Sequence, residues 1–305
     1  MIALVITLFA ACKKESSVTN SANNNNTSQT TGKVLLTEII DNNPNDKDYL
    51  SVDTKDNTQA DSVSTGYGQP VFQFTYSGKQ LTKLVHYLSS KYYQTTLFAY
   101  STNGNLASTS SSLTLNGQVL TNAELGDSTA VTSQITYTNG SITEQKYYNI
   151  NNTLYDDVTY TWQNGLIQTL TDNPSGLADY LGYTNTYQYN SEKNSSAITI
   201  NPGGAINILG FDDQKNLALA FPFWWVILGP DATEANFAFG GLGTNNNDDP
   251  SAFVIPVIPG ENNPLKDDLG NTYTYQYNMN GYPSEETVTN GGVSGSVKYQ
   301  YIQVN

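Results

Sequence analysis

A single histidine, His86, and a single cysteine, Cys12, restrict the nucleophilic and metal chemistry open to this chain. A Ser–His–Asp hydrolase would need His86 as its base. No Gly-x-Ser-x-Gly elbow leads into a helical pattern anywhere in the sequence. His86 sits in Leu84-Val85-His86-Tyr87-Leu88, which reads as an ordinary strand. One histidine and one cysteine are too few for a structural zinc site. No cofactor motif is present, and no cofactor is expected.

Carboxylates offer more. Acidic pairs stand at Asp156-Asp157, Asp212-Asp213, Asp248-Asp249, Asp267-Asp268 and Glu285-Glu286. Paired carboxylates can hydrolyse glycosidic bonds, or bind calcium together with loop carbonyls. None has calcium-loop spacing. Most fall in predicted turns, where aspartate hydrogen-bonds its own backbone. Solvated turn residues are therefore expected.

Aromatic side chains make two further candidates. Tyr273, Tyr275 and Tyr277 alternate, which puts three rings on one face of a strand. Such a row suits cross-strand packing, and it equally suits a platform for stacking sugar rings. Phe221, Phe223, Trp224 and Trp225 lie in the apolar run Leu217–Pro230. That run lacks period-2 polarity and is too short to span a bilayer. Pro222 and Gly229-Pro230 limit it to a short helix or an irregular path. It either fills the concave side of a sheet or lines a pocket or docking patch.

The elements that would position these groups are hairpins. Tyr76 to Leu81, Tyr137 to Ile142 and Trp162 to Ile167 are each five residues apart. A two-residue turn then sets the aromatic opposite the aliphatic. Asn139-Gly140 and Asn164-Gly165 suit type I′ turns, and Gly78-Lys79 suits type II′. Tyr100 to Leu106 is six apart, and a longer loop with Gly104 left-handed plus a bulge restores the same pairing. Tyr273 to Tyr277, before Asn278-Met279-Asn280-Gly281, and Tyr187-Gln188-Tyr189, before a longer polar turn, continue the pattern.

The chain has 305 residues, a net charge of −14 and only 13% charged residues. Its length is enough to bury a core without disulfide or metal. The acidic balance disfavours nucleic acid as a partner. Residues 1–11, MIALVITLFAA, are apolar and end in small residues, as in a signal peptide. A start upstream of Met1 would supply the usual basic segment. Leu8-Phe9-Ala10-Ala11-Cys12 resembles the lipobox of bacterial lipoproteins, which implies lipidation of Cys12. Residues 12–33 then form the lipidated cysteine and a Ser/Asn/Thr-rich tether, too polar to fold. Lys13-Lys14-Glu15 resembles the tract that directs surface display of Bacteroidota lipoproteins. Asp61-Ser62-Val63 and Asp127-Ser128-Thr129 resemble their O-glycosylation sites.

Tyr100-x-x-Asn103-Gly104-x-Leu106 resembles a YD-type repeat, without its Asp and Arg. Lipobox, tether and terminal Tyr-x-Tyr-x-Tyr hairpin together resemble Bacteroidota lipoproteins with an uncharacterised porin-like domain. That resemblance implies one large curved antiparallel sheet and supplies no function.

The expectation is thus all-β. Residues 34–305 form a single hairpin-repeat meander, half-open and barrel-like. An insertion at 205–259, helical or irregular, packs on its concave side. The strands are too polar for a lipid-facing band. The expected function is a non-catalytic lipoprotein, held at the outer membrane by its anchor. It would bind a glycan, a lipid or another envelope protein. The alternatives are a structural or adhesive surface protein, and a carboxylate-based hydrolase.

Overall fold

Aromatic and β-branched residues alternating with polar ones, punctuated by glycine turns, fold as strands joined by tight connections. The computed structural model describes residues 32–42, 68–87, 90–121, 125, 130–176, 182–221, 223 and 258–304. In chain order the strands are β1 (Lys33–Asp41), β2 (Pro70–Ser77), β3 (Gln80–Tyr87), β4 (Tyr92–Tyr100), β5 (Leu106–Leu115), β6 (Gln118–Val119), β7 (Ala130–Thr138), β8 (Ser141–Asn149) and β9 (Leu154–Gln163). They continue with β10 (Leu166–Pro174), β11 (Thr184–Tyr189), β12 (Ser195–Asn201), β13 (Ala205–Phe211), β14 (Pro264–Asp267), β15 (Thr272–Tyr277), β16 (Pro283–Asn290) and β17 (Val293–Val304).

Every pairing is antiparallel, and the sheet closes. β1 pairs with β2 on one side and with β17 on the other, from Lys33↔Val304 to Asp41↔Val297. β6 is a short addition to β5, and the remaining strands form a 16-strand barrel. The half-open sheet expected from the sequence is corrected to a complete ring. Closure needs tilt and coiling, and β-bulges supply both. They recur beside the hairpin aromatics, at Thr75/Tyr76, Ala99/Tyr100, Thr136/Tyr137, Gln188/Tyr189 and Gln276/Tyr277.

The hairpin spacing holds. Tyr76 faces Leu81, Tyr100 faces Leu106, Tyr137 faces Ile142 and Trp162 faces Ile167. Asn139 and Gly140 have φ of +53° and +83°, and Asn164 and Gly165 have +54° and +77°. Both residues of each turn are left-handed, as type I′ requires.

These pairs are linked around the ring. The Tyr76 hydroxyl donates to the Leu36 carbonyl at 2.8 Å, and that of Tyr100 to the Leu81 carbonyl at 2.9 Å. Tyr137 hydrogen-bonds the backbone of Leu106. Trp162 Nε1 donates to Ile142 at 2.6 Å, Tyr189 to Ile167 at 2.9 Å and Tyr301 to Pro283 at 2.6 Å. Each donor therefore reaches the backbone of the residue that faces the preceding aromatic. Bulges interrupt the ladder at this level. The belt adds cross-hairpin hydrogen bonds there.

The core face is filled. One cluster joins Leu36, Phe72, Phe74, Leu81, Phe98, Leu106, Ile142, Tyr160, Leu170, Tyr187, Phe221 and Tyr299. A 16-strand ring can enclose an aqueous channel. Here apolar side chains of successive strands meet in one contiguous cluster. The opposite face carries exposed hydroxyl pairs, with Thr161–Thr169 at 2.6 Å and Thr289–Ser294 at 2.7 Å.

The apolar segment differs from expectation. Ala205–Phe211 is strand β13 of the barrel, so the interruption starts after Phe211. Its described part holds one 3-10 turn, Leu217–Leu219, capped by Asn216, whose Oδ1 accepts from Ala218 N at 2.7 Å. No longer helix occurs among the described residues there. Ala220 and Phe221 are fully buried. The Ala220 carbonyl accepts from Leu36 N at 2.9 Å, and the Phe221 ring meets Phe74 edge-on at 5.0 Å. A segment leaving β13 thus reaches β1 and β2 through the core.

Candidate functional site

Alternation along β15 puts Tyr273, Tyr275 and Tyr277 on the core face. Each hydroxyl ends on a carboxylate. Tyr273 donates to Asp267 at 2.7 Å, Tyr275 to Glu286 at 3.3 Å, and Tyr277 to Asp212. Asp267 and Asp212 also organise loops by accepting backbone N–H groups, Asp267 from Leu269 and Asn271, Asp212 from Gln214 and Asn263. Glu286 is 3% exposed and takes a second phenol, Tyr299, at 2.6 Å. Burial pushes its carboxyl up to about 7, against the two phenols that favour the anion. The row is a set of buried tyrosine–carboxylate links within the wall.

A second polar group lies on the core face of β8 to β11. Asp156, Asp172, Asn185 and Gln145 are all buried there. Gln145 has a partner at both ends of its amide. It accepts from Tyr160 at 3.2 Å and donates to Ser133 at 3.1 Å, and Ser133 bonds Thr109 at 2.6 Å. Asp172 N donates to the Tyr183 carbonyl at 2.8 Å, which sets those two residues opposite each other. Leu170 faces both Tyr160 and Asn185. Asp172, two residues further on, is therefore diagonal to both. Burial first, and then the Asp172 charge, push the Tyr160 and Tyr183 hydroxyls far above the usual phenol range.

The acidic pairs correct the sequence reading. Asp156-Asp157 and Glu285-Glu286 lie within strands β9 and β16. Neighbours on a strand face opposite ways. Asp156 and Glu286 are thereby buried, while Asp157 lies 4.0 Å from Lys146 and Glu285 bonds Asn42. Asp212-Asp213 and Asp267-Asp268 do lie at turns, but Asp267 is buried. The signal for this was the period-2 pattern through each pair. Among the described residues, no group of three or more His, Cys, Asp or Glu is placed to hold a metal ion.

His86 stacks on Phe72 with ring centres 4.2 Å apart and planes 9° from parallel. Burial pushes its imidazole down to about 4. The ring serves packing. Phe221 is in the core and Phe223 packs against it. Cys12, Trp224, Trp225, Asp248, Asp249 and both glycosylation-like motifs lie outside the described residues.

Two shallow cavities open at the belt end. One, of about 420 Å³, is lined by Tyr187, Tyr189, Gln163, Gln168, Asn190 and Lys193 among others. The other, of about 320 Å³, includes Tyr299, Tyr301, Asn278, Asn280 and Gln303. Both combine phenol rings with amide side chains.

No family model and no curated protein matches the chain. Fold and site define a closed antiparallel β-barrel with a filled core. Among solved structures the chain is similar to a porin-like protein from Bacteroides uniformis, at 12% identity and a TM-score of 0.33, over 69% of this chain and 90% of that one. It is also similar to TcdB2-TccC3 without its hypervariable C-terminal region, at 15% identity and a TM-score of 0.21, over 76% of this chain and 10% of that one. The barrel described above rests on its own strand pairing.

Proposed function

We propose that this chain is a non-catalytic cell-envelope lipoprotein, held at the outer membrane through Cys12, whose barrel is a binding scaffold. One observation carries the reading: the core face holds one contiguous apolar cluster while the opposite face carries exposed hydroxyl pairs. A membrane-spanning barrel needs the reverse, an apolar outer band around a polar lumen. A polar-faced barrel needs another means of staying at a membrane, and acylation of Cys12 followed by a polar tether provides it. The Tyr/amide cavities favour a polar ligand. Phenol rings stack on sugar rings, and amides hydrogen-bond hydroxyls. A glycan suits this chemistry better than an acyl chain.

Three measurements test the reading. Labelled palmitate should enter the wild-type chain and not Cys12→Ser, which should leave the membrane fraction. The purified chain should give no ion conductance in planar bilayers. A glycan array should return hits that Tyr189→Ala weakens. Steady conductance, or membrane retention of Cys12→Ser, would overturn it.

A further inference from the structure

We propose that the polar group between β9, β10 and β11 is a binding site for a hard, oxygen-seeking cation of the calcium class. Register assembles it. Asp172 is opposite Tyr183, diagonal to Asn185 on β11, and diagonal to Tyr160 and Asp156 on β9. Asp156 is fully buried and Asp172 is 2% exposed. Asp156 Oδ1 accepts from Asp157 N at 2.6 Å, and a carboxylate taken out of water is costly unless its partners or a cation offset its charge. β9, β10 and β11 contain no lysine, arginine or histidine. Lys146 on β8 bonds Glu144 at 2.8 Å and lies 4.0 Å from Asp157, on the opposite face.

A second observation is independent of the carboxylates. Asn185 is 4% exposed, and its amide donates to the Tyr187 hydroxyl, which fixes its orientation. Its carbonyl oxygen, Oδ1, is buried and makes no hydrogen bond. The Tyr183 hydroxyl, on a residue 6% exposed, likewise has no hydrogen-bond partner. Buried polar atoms are nearly always satisfied by protein, water or an ion. Tyr183 is opposite Asp172 and belongs to the same buried cluster as Tyr160 and Tyr187. Two carboxylates, an amide carbonyl and a phenol thus occupy neighbouring register positions on one buried face. All the donors are oxygen, which suits calcium and excludes a preference for zinc or copper. The phenols surrounding the site also make it optically addressable. The site is independent of the glycan reading, and either can fail alone.

Terbium, a calcium surrogate, tests it on the purified full chain. Excited through Tyr160, Tyr183 and Tyr187, bound terbium should luminesce saturably and be displaced by calcium but not by potassium. Asp172→Asn should abolish the signal, while Asp268→Asn, at an exposed turn, should keep it. Calcium should raise the melting temperature of the wild type, chelator should reverse this, and Asp172→Asn should melt the same with or without calcium. Equal terbium emission from Asp172→Asn overturns the proposal. So does a wild-type melting temperature indifferent to millimolar calcium, which would leave a water-filled polar pocket only. That wild-type titration decides the matter even where Asp172→Asn fails to fold.

Discussion

The Tyr100 hydroxyl donates a 2.9 Å hydrogen bond to the carbonyl of Leu81, the residue that faces Tyr76 in the preceding hairpin. The same step repeats at Tyr76, Tyr137, Trp162, Tyr189 and Tyr301. Each hairpin is therefore fastened to the previous one by a side chain as well as by its ladder. Tyr100→Phe keeps the ring and removes only the donor, which leaves a partly buried carbonyl short of a bond. A loss of about 1 kcal/mol is expected in urea unfolding. Tyr301→Phe should cost a similar amount although it lies in a different part of the ring. Unchanged midpoints for both would show that the belt is geometry without energy.

His86 gives a pH-dependent prediction. Its folded pKa, about 4, is below the unfolded value near 6.5. Between these values the unfolded chain binds a proton that the folded chain refuses, so stability falls as pH falls through that window. His86→Phe preserves a ring against Phe72 and removes the titration. Its stability relative to wild type should rise as pH drops from 7 to 4, by up to ~3 kcal/mol. A pH-independent difference between the two would rule out a buried neutral imidazole.

Glu286 has the opposite sign. Its folded pKa, about 7, is above its ordinary value of 4.5. The folded chain holds a proton that the unfolded chain releases, so this contribution is intact below the unfolded value and lost as pH rises to about 7. Glu286→Gln keeps a neutral oxygen for Tyr299 and Tyr275. It should match wild type near pH 4 and exceed it at pH 8, by up to ~3 kcal/mol. The two windows overlap and partly cancel in the wild type. Denaturant melts of each variant across pH separate them, and a Glu286→Gln advantage that shrinks with rising pH would contradict the burial argument.

Much of this was legible in the sequence, for local reasons. Turn type follows from Asn-Gly and from residue spacing, and pairing follows from turn type. Tyr137↔Ile142 and Trp162↔Ile167 were therefore readable from five-residue intervals. Closure was not, because Lys33↔Val304 joins residues from the two ends of the barrel sequence, and no local signal encodes that match. The burial of the acidic pairs is obscured for a related reason. Turn propensity and strand parity compete there, and parity decides that Asp156 points inward and Asp157 outward. The gathering of Asp172, Tyr183 and Asn185 depends on the register of β10 with β11, across a connection whose length the sequence leaves open. Alternation alone puts the tyrosine row on one face, but its carboxylate partners come from β14, β16 and the loop after β13.

That register rests on one glycine. At Gly182 an added Cβ would lie 2.3 Å from the Asp172 carbonyl oxygen and 2.6 Å from Pro174 Cδ. Neither neighbour is the end of a flexible side chain, so the entry to β11 would have to move away from β10. Gly140 is the useful contrast. Its φ of +83° penalises any side chain, yet a Cβ there meets nothing within 4 Å. Gly140→Ala should then cost about 1 kcal/mol, the backbone penalty alone. Gly182→Ala combines a main-chain clash with displacement of Asp172 from Tyr183, and should cost about 3 kcal/mol or more. Parallel urea titrations compare the two. Because the clash falls at the oxygen-lined group itself, Gly182→Ala should also blunt any calcium-dependent rise in melting temperature, whereas Gly140→Ala should leave it intact. A Gly182→Ala protein as stable as Gly140→Ala would mean that the close approach of β10 and β11 is not what aligns these side chains.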